Sequence, residues 1–412
     1  MVWNSAAKFG FVSFIGLLAV TLCENDASAA SPNIELIGTA TISGTAVDAT
    51  GETAALVDGS PANRMGGWSG MEWSGQGNRF FLLADRGAGD GLVDYQCRYH
   101  EVELECDEKT RQIQFRTIST QTIAGADGCP IVGSLTAHAS DLVKHACTAM
   151  DPEGLRILAN GDFLICEEYG PRLAVVGRDG LVRREFVTAD TFRLLSDKPG
   201  EATHGAFPNR AWEGVAITPS GNRIVAALQG PLIQDAEVVN GWLTGQDCRF
   251  AAYDQTGKPT EQWIYRLDSS NVGLSEILAV DEERFLVIER DGGHGDDAKI
   301  KRVYLADVGE AADVSDTDDL ITTKACERQA ITKTLFLDFL DPRFSIRDEK
   351  PEGMCWGEPL EDGRRTLWVC WDNDFEPTRN SLIACFAISD VPSLGKVSLQ
   401  SDVRTQSSKL DR

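Results

Sequence analysis

The chain has 412 residues and is strongly acidic, with 63 Asp and Glu against 39 Lys and Arg and a formal net charge of −24. A field of this sign repels nucleic acid and anionic membrane surfaces, which excludes both as partners held by the bulk charge of the protein. An anionic ligand therefore requires a local cationic patch or a bound metal ion.

The N-terminus has the layout of a secretory signal. Lys8 precedes an apolar stretch over residues 9–23, and Ala27-Ser28-Ala29 supplies the small residues of a cleavage site. The apolar stretch is short for a membrane span, and an uncleaved anchor is the alternative interpretation. We predict a signal peptide over residues 1–29, a secreted or periplasmic location, and no membrane span after cleavage.

Short apolar runs then recur along the chain, bounded by Gly, Asn, Asp or Pro. Runs of about five residues predict β-strands joined by turns, because core helices are longer. Each repeat begins with a similar stretch, followed by a turn and a second apolar run. A glutamate is the third residue in four of these stretches, and the first stretch, which ends in Glu72, is a looser relative: 68–72, 151–155, 211–215, 274–278 and 350–354.

The spacing of the repeats predicts the architecture. Gly154 and Gly214 are 60 residues apart, which is enough for a sheet of four strands with its loops. We predict an all-β β-propeller over residues 30–390, with six blades favoured over five or seven. Segment 34–40 is expected to pair with segment 382–388 and close the ring, which removes the exposed sheet edges. Residues 391–412 are expected to form a polar, disordered tail.

The cysteine count suggests disulfides. Of the 11 cysteines, Cys23 leaves with the signal, and an even number in an exported chain favours disulfide bonds over a zinc site. The alternative is that several are buried free thiols. The local pairs that the spacing suggests are Cys97 with Cys106, Cys129 with Cys147, and Cys355 with Cys370.

Carboxylates at equivalent positions of successive blades converge at one mouth of a central channel. Like charges held close raise each other's pKa, and a bound metal ion is the simplest remedy. Oxygen ligands suit calcium, whereas a transition metal recruits His and Cys. The predicted ligands are Glu153, Glu213, Glu276 and Glu352, with an outer or alternative set of Asp85, Glu168, Glu289 and Asp372. The alternative is a structural role, in which each carboxylate caps backbone N–H groups and holds adjacent blades in register.

Three arginines follow the second runs of the repeats. Arg86, Arg172 and Arg290 each follow a strand-end block that contains one of the predicted carboxylates. A guanidinium binds phosphate or carboxylate through two parallel hydrogen bonds, so these side chains are candidates for holding an anionic substrate. The alternative is that they pair with the glutamates.

The repeats resemble a known family. The ordered blocks LADRG at 83–87, DPEG at 151–154, EEYGPR at 167–172, WEGVA at 212–216, ALQGPL at 227–232, VIERD at 287–291 and KPEG at 350–353 are similar to the signature blocks of the phytase-like family, described as "esterase-like activity of phytase". The resemblance implies an extracytoplasmic β-propeller with calcium dependence and phosphoester or ester hydrolysis. The chain departs from the pattern at Ser69-Gly70, where other blocks have Glu-Gly, so the carboxylate ring has a gap there.

Two classes of function remain open. A serine esterase is disfavoured, because no Gly-x-Ser-x-Gly elbow is present and none of the 5 histidines lies in a repeated block. The sequence therefore favours a monomeric, calcium-dependent hydrolase of a small anionic ester or phosphoester, in which the metal positions an attacking water. The alternatives are a propeller that only binds a ligand or partner, and a lactonase-like metal propeller.

Overall fold

The computed structural model describes residues 33–389, apart from 139–147, 194–201, 208, 240–241 and 347–349. The predicted signal peptide and the predicted tail lie outside the described residues. The described part is all-β, with 22 strands and a few short 3-10 helices. None of its helices is long and apolar enough to cross a membrane.

Most strands form four-stranded antiparallel groups in which neighbours along the chain pair with each other. Group 1 contains β2 (Trp68–Trp73), β3 (Arg79–Ala84), β4 (Arg98–Asp107) and β5 (Gln112–Thr122). Group 2 contains β6 (Pro152–Ile157), β7 (Phe163–Glu167), β8 (Arg172–Val176) and β9 (Val182–Glu185). Group 3 contains β10 (Trp212–Ile217), β11 (Ile224–Leu228), β14 (Asp247–Tyr253) and β15 (Pro259–Arg266).

Group 4 contains β16 (Val272–Ala279), β17 (Arg284–Asp291), β18 (Lys301–Asp307) and β19 (Thr332–Asp338). Group 5 contains β20 (Pro351–Trp356), β21 (Arg365–Trp371), β22 (Ser381–Ser389) and, from the start of the chain, β1 (Asn33–Ile42). A separate hairpin, β12 (Glu237–Val239) with β13 (Trp242–Thr244), is inserted in group 3 between β11 and β14.

The two ends of the described chain meet in group 5. Strand β1 pairs antiparallel with β22 from Asn33 opposite Ser389 to Ile42 opposite Ser381, so segment 34–40 lies beside segment 382–388. A single parallel bridge between Thr39 and Gln112 also joins β1 to β5, which merges groups 1 and 5 into one eight-stranded sheet.

The described residues contain five four-stranded groups, whereas six blades were predicted from the sequence. The expectation used about 60 residues per repeat, and two intervals are longer: 84 residues separate Gly70 from Gly154, and 76 separate Ile277 from Gly353. Neither interval holds an additional sheet among the described residues. The first is filled by the long strands β4 and β5, of 10 and 11 residues, and by their loops.

Apolar cores lie between neighbouring groups. Leu83 of group 1, for example, packs in one cluster with Leu155 and Ile165 of group 2, and separate clusters join groups 2 and 3, 3 and 4, 4 and 5, and 5 and 1. Central strands such as β7 and β11 are buried along their whole length, because a sheet covers each of their faces. Burial of each large apolar side chain contributes about 1.5–3 kcal/mol.

The first strands of the five groups contact one another in succession: β2 with β6, β6 with β10, β10 with β16, β16 with β20, and β20 with β2. Glycine permits this close approach. A Cβ atom added to Gly214 would lie 2.6 Å from the backbone N of Ile277, and one added to Gly353 would lie 2.6 Å from the backbone N of Met71. The Glu-Gly blocks are therefore a packing requirement as well as a source of carboxylates.

The disulfide prediction is wrong for the described cysteines, because all nine are free. Cys97 and Cys106 lie 9 residues apart along one extended segment that includes β4, about 30 Å at the rise of a strand. A disulfide requires Cα atoms within about 7 Å. Cys355 lies opposite Trp368 rather than Cys370. Cys147, the suggested partner of Cys129, lies outside the described residues.

Candidate metal centre

A β-bulge near the start of each first strand sets the geometry of the site. The register shifts at Trp68/Gly70, Pro152/Gly154, Trp212/Gly214, Leu274/Glu276 and Pro351/Met354. A bulge leaves the extra residue out of the ladder and redirects its side chain. The bulged residues at these equivalent positions include Ser69, Glu153, Glu213, Ser275 and Glu352. We call this end of the first strands the mouth.

A second set of equivalent residues follows from the same register. The residue before each bulge pairs with a residue of the second strand. The residue that follows this partner along the chain lies opposite the residue two positions before the bulged one. These residues are Asp85, Glu168, Gln229, Arg290 and Asp372.

Two of the predicted ligands are displaced by one position from these sets. Glu276 follows the bulged Ser275 and occupies the place of the glycines in the other groups. Glu289 pairs with Leu274, as Glu167 pairs with Pro152, so Arg290 rather than Glu289 belongs to the second set. A shift of one residue in a strand reverses the direction of the side chain, and both residues therefore face other surroundings.

Glu289 takes part in the contact between groups 3 and 4. Its buried carboxylate accepts hydrogen bonds from the Tyr265 hydroxyl at 2.6 Å and the Asp268 backbone N–H at 3.0 Å, and it pairs with Lys333. These contacts hold the carboxylate away from the mouth. They match the alternative to metal binding given above, in which a carboxylate caps a backbone N–H group and holds adjacent sheets together.

Group 2 places three carboxylates together. One oxygen each of Asp151, Glu153 and Glu168 lie within 4.8 Å of one another, and we call these three residues the acidic cluster. Asp151 is fully buried, Glu168 is 3% exposed and Glu153 is 9% exposed. Glu168 accepts a hydrogen bond from the Ala211 backbone N–H at 3.0 Å, which ties the cluster to the start of β10.

Glu213 extends the acidic cluster toward group 3. Its Oε1 accepts a hydrogen bond from Gln229 Nε2 at 2.6 Å, whereas its buried Oε2 has no hydrogen-bond partner. A buried, unpartnered carboxylate oxygen is costly, and such an atom in a native structure calls for a ligand or a counter-ion.

Burial and mutual repulsion raise the pKa values of these carboxyl groups. Burial is the main cause of the raised pKa of Glu153 and Glu168, and the neighbouring Glu213 carboxylate raises both further. Burial, followed by repulsion from Glu352, raises the pKa of Glu213 to about 7, although the Arg290 guanidinium acts in the opposite direction. A cation bound among these groups would remove the repulsion.

Cationic side chains lie on the other side of the mouth. Arg290 donates to Ser275 Oγ at 2.8 Å and pairs with Glu352 at 2.5 Å. Lys350 pairs with Asp372, with Asp374 at 2.6 Å and with Glu352 at 3.7 Å. We call Arg290 and Lys350 the cationic pair.

The other two predicted arginines differ from each other. Arg86 lies at the mouth, where it pairs with Asp151 and, at 2.8 Å, with Asp90. Arg172 does not join it, because its Nε pairs with Glu167 at 2.8 Å and its Nη2 donates to the Ala149 carbonyl at 2.8 Å. Pairing with a glutamate, the alternative given for the arginines, describes both Arg172, which pairs with Glu167, and Arg290, which pairs with Glu352.

Asp151 and Lys350 were not predicted as site residues from the sequence. Both immediately precede a Pro-Glu-Gly triplet, and the repeat therefore gave a positional signal for them. The corresponding residues of the other groups are uncharged, so a search for a recurring residue type passes over the position. Gln229 was missed for the same reason, because it stands where other groups carry a charged residue.

Comparison with known proteins identifies the family. The model of the phytase-like family, described as esterase-like activity of phytase, matches residues 63–375. The chain belongs to the phytase-like family. The matched region contains all five first strands and therefore the whole mouth of this phytase-like protein.

The phytase-like chain is also similar to several solved structures. Periplasmic gluconolactonase from Pseudomonas aeruginosa is 12% identical, with 88% of this chain and 99% of that chain covered and a TM-score of 0.37. The exo-β-1,3-galactanase 1,3Gal43A from Clostridium thermocellum is 11% identical, with coverages of 85% and 64% and a TM-score of 0.41. The β-propeller domain of Cps50 from Myceliophteria thermophila is 11% identical, with coverages of 55% and 50% and a TM-score of 0.25. No curated protein matches the chain by sequence.

Below the mouth, the phytase-like chain carries a buried ionic group. Glu276 lies 3.0 Å from the Arg156 guanidinium, and Glu72 lies 3.4 Å from it. Burial raises the pKa of Glu276 to about 8 and that of Glu72 to about 7, and Arg156 opposes both shifts.

The raised pKa of Glu276 makes the stability of the phytase-like protein depend on pH. Its folded value of about 8 lies above the ordinary value of 4.5, so the folded state binds more protons between these pH values. Its contribution is therefore present below pH 4.5 and is lost as the pH rises through about 8. Urea unfolding in the presence of EDTA should show stability falling over this range, by an amount on the order of a few kcal/mol.

The Glu276→Gln variant identifies the group responsible, because glutamine has a similar shape and does not titrate. Its stability should fall less steeply with pH than that of the wild type. Equal slopes for the two proteins would show that Glu276 keeps an ordinary pKa in the folded state.

Proposed function

We propose that this protein is a calcium-dependent hydrolase of phosphoesters or simple esters that acts in the periplasm or outside the cell. The observation that carries the proposal is the acidic cluster, whose three carboxylates lie within 4.8 Å, beside the unpartnered Oε2 of Glu213. We propose further that the five groups close into a five-bladed propeller. The cycle of contacts between first strands and the pairing of β1 with β22 support this closure.

The donor set fits calcium. Asp151, Glu153, Glu168 and Glu213 offer only carboxylate oxygens, and calcium takes about 6–8 oxygen ligands, some of them from water. Among the described residues, no histidine or cysteine, the ligands that transition metals prefer, contributes to this group. Among the other predicted ligands, Asp85 lies at the mouth near Asp151 and Asp372. Glu352 forms an ion pair with Arg290, and Asp372 forms one with Lys350.

The residues around the acidic cluster have separate roles in this proposal. Calcium, when bound, supplies a Lewis acid that neutralises an anionic ester and lowers the pKa of a bound water. Arg290 and Lys350 face the same mouth and are placed to hold the anionic oxygens of a small ester or phosphoester. Gln229 fixes the orientation of Glu213 through its 2.6 Å hydrogen bond. We propose that the protein acts as a monomer.

A substrate panel with and without calcium tests the proposal. We expect the purified protein to hydrolyse p-nitrophenyl phosphate or p-nitrophenyl acetate in calcium and to lose the activity in EGTA. The Glu153→Gln variant should lose at least about 100-fold in kcat/KM, because it removes a charged ligand. Glu105→Gln, an exposed change on β4, should match the wild type. Equal rates in calcium and EGTA would contradict the proposal.

A second candidate is a propeller that binds a ligand without transforming it. The observation in its favour is that Arg290 and Lys350 are already paired with Glu352 and Asp372, so their charges are partly neutralised before any substrate arrives. Calcium binding without hydrolysis of any ester, including a simple lactone as a third substrate class, would favour this candidate.

A further inference from the structure

Arg156 is an unusual residue for the interior of a sheet. It lies on β6, three residues after Glu153, and is 3% exposed. Its guanidinium donates hydrogen bonds to backbone carbonyls of four first strands: Leu155 at 2.6 Å, Ile277 at 2.7 Å, Met71 at 3.2 Å and Met354 at 3.3 Å. One side chain therefore connects β6 to β16, β2 and β20.

The carboxylates around Arg156 fit the same arrangement. Glu276 lies 3.0 Å from its Nη2, and Glu72 lies 3.4 Å from its Nη1. Glu276 replaces the glycine that the other four groups have at this position. The repeat thus gives up its small residue at the position where Glu276 meets Arg156, which indicates that the pair is a specific feature of this chain.

The strands that Arg156 connects carry the two sides of the mouth. Strand β6 carries Glu153 of the acidic cluster. Strand β16 carries Ser275, the hydrogen-bond partner of Arg290, and β20 carries Glu352, its ionic partner. All three carboxylates of the acidic cluster lie in group 2. The contacts of Arg156 with the other groups therefore affect the distance between the acidic cluster and the cationic pair, and not the arrangement of the three carboxylates.

We infer that Arg156 is a positioning residue that fixes the separation between the acidic cluster and the cationic pair, and so controls the affinity for an anionic ligand bound between them. The inference rests on the proposed function, because it takes the acidic cluster as the calcium site. A rigid guanidinium with several directed donors suits this role, a flexible ammonium reproduces only part of it, and an apolar side chain reproduces none.

Calorimetry on the full chain tests the inference with two probes, calcium alone and inorganic phosphate in saturating calcium. For Arg156→Met we expect the Kd of phosphate to rise by about tenfold or more, because displacement of binding groups by a fraction of an ångström is costly. The Kd of calcium should change by less than about threefold, since the acidic cluster lies within group 2 and Glu213 lies on β10, which is not among the four strands whose carbonyls accept hydrogen bonds from Arg156. Arg156→Lys should recover part of the phosphate affinity, and Glu105→Gln should resemble the wild type.

A second variant keeps the test decisive if Arg156→Met does not fold. Glu276→Gln keeps the shape of the side chain and, above pH 8 where Glu276 is ionised, removes one ionic partner of Arg156. Measured above that pH, it should weaken phosphate binding in the same direction. Unchanged phosphate affinity in the folded variants would overturn the inference. Equal losses of affinity for calcium and for phosphate would also overturn it, because they indicate a general loss of structure. A wild-type protein that binds no calcium would instead reject the proposed function.

Discussion

The Arg156→Met protein should lose about 3–5 kcal/mol of unfolding free energy, because buried carbonyls of four first strands lose a hydrogen-bond donor and each unsatisfied buried acceptor costs about 1–3 kcal/mol. The substitution leaves Glu276 and Glu72 in the interior without the guanidinium and removes hydrogen bonds from carbonyls of four first strands. Urea unfolding at neutral pH provides the measurement, with the loss read from the midpoint at an unchanged slope.

A surface arginine serves as the matched control. Arg79 pairs with Glu101 at 2.6 Å, but its side chain is 49% exposed. Exposed pairs of this kind contribute little to stability, and Arg79→Met should therefore keep a urea midpoint close to that of the wild type. If the two variants lose stability equally, Arg156 does not hold the first strands together.

Calcium should raise the melting temperature of the wild-type protein and should fail to do so in Glu153→Gln. A ligand that binds only the folded state at about 100 times its Kd adds about 2.7 kcal/mol of stability. The gain is expected because binding also relieves the repulsion among the buried carboxylates. Melting curves in calcium and in EGTA measure the difference directly.

Two comparisons separate this effect from nonspecific binding of calcium to an acidic protein. Glu105→Gln removes one exposed carboxylate and should keep the full calcium shift. Magnesium at the same concentration should give a smaller shift, because it requires a tighter octahedral geometry and gives up water reluctantly. A calcium shift that persists in Glu153→Gln would place the binding outside the acidic cluster.

Much of the local structure could be predicted from the sequence. The apolar runs bounded by turns became strands, and the recurring Glu-Gly blocks lie at the starts of first strands. The number of sheet groups could not be predicted from an average repeat length, because strands β4 and β5 and the loops of two groups are longer than the average. Sequence spacing does not separate a long loop from an additional strand pair.

The site could be predicted only in part, because the bulges decide which residues are equivalent. Glu153, Glu213 and Glu352 recur beside a glycine and were found. Glu276 was predicted to belong to the same set because it also lies near the start of a strand. The bulge at Ser275 shifts the register by one residue, and Glu276 pairs with Arg156 instead. The pairing of Arg156 with Glu276 joins residues 120 positions apart and leaves no local signal in the sequence.

Isothermal titration of calcium into the wild-type protein and into Glu153→Gln tests the central claim most directly. The claim is that Asp151, Glu153 and Glu168, with Glu213 beside them, form a calcium site at the mouth. It predicts saturable binding of calcium at one site in the wild type and a loss of at least about tenfold in affinity in the variant. Absence of binding to the wild-type protein, or equal affinities in the two proteins, would contradict it.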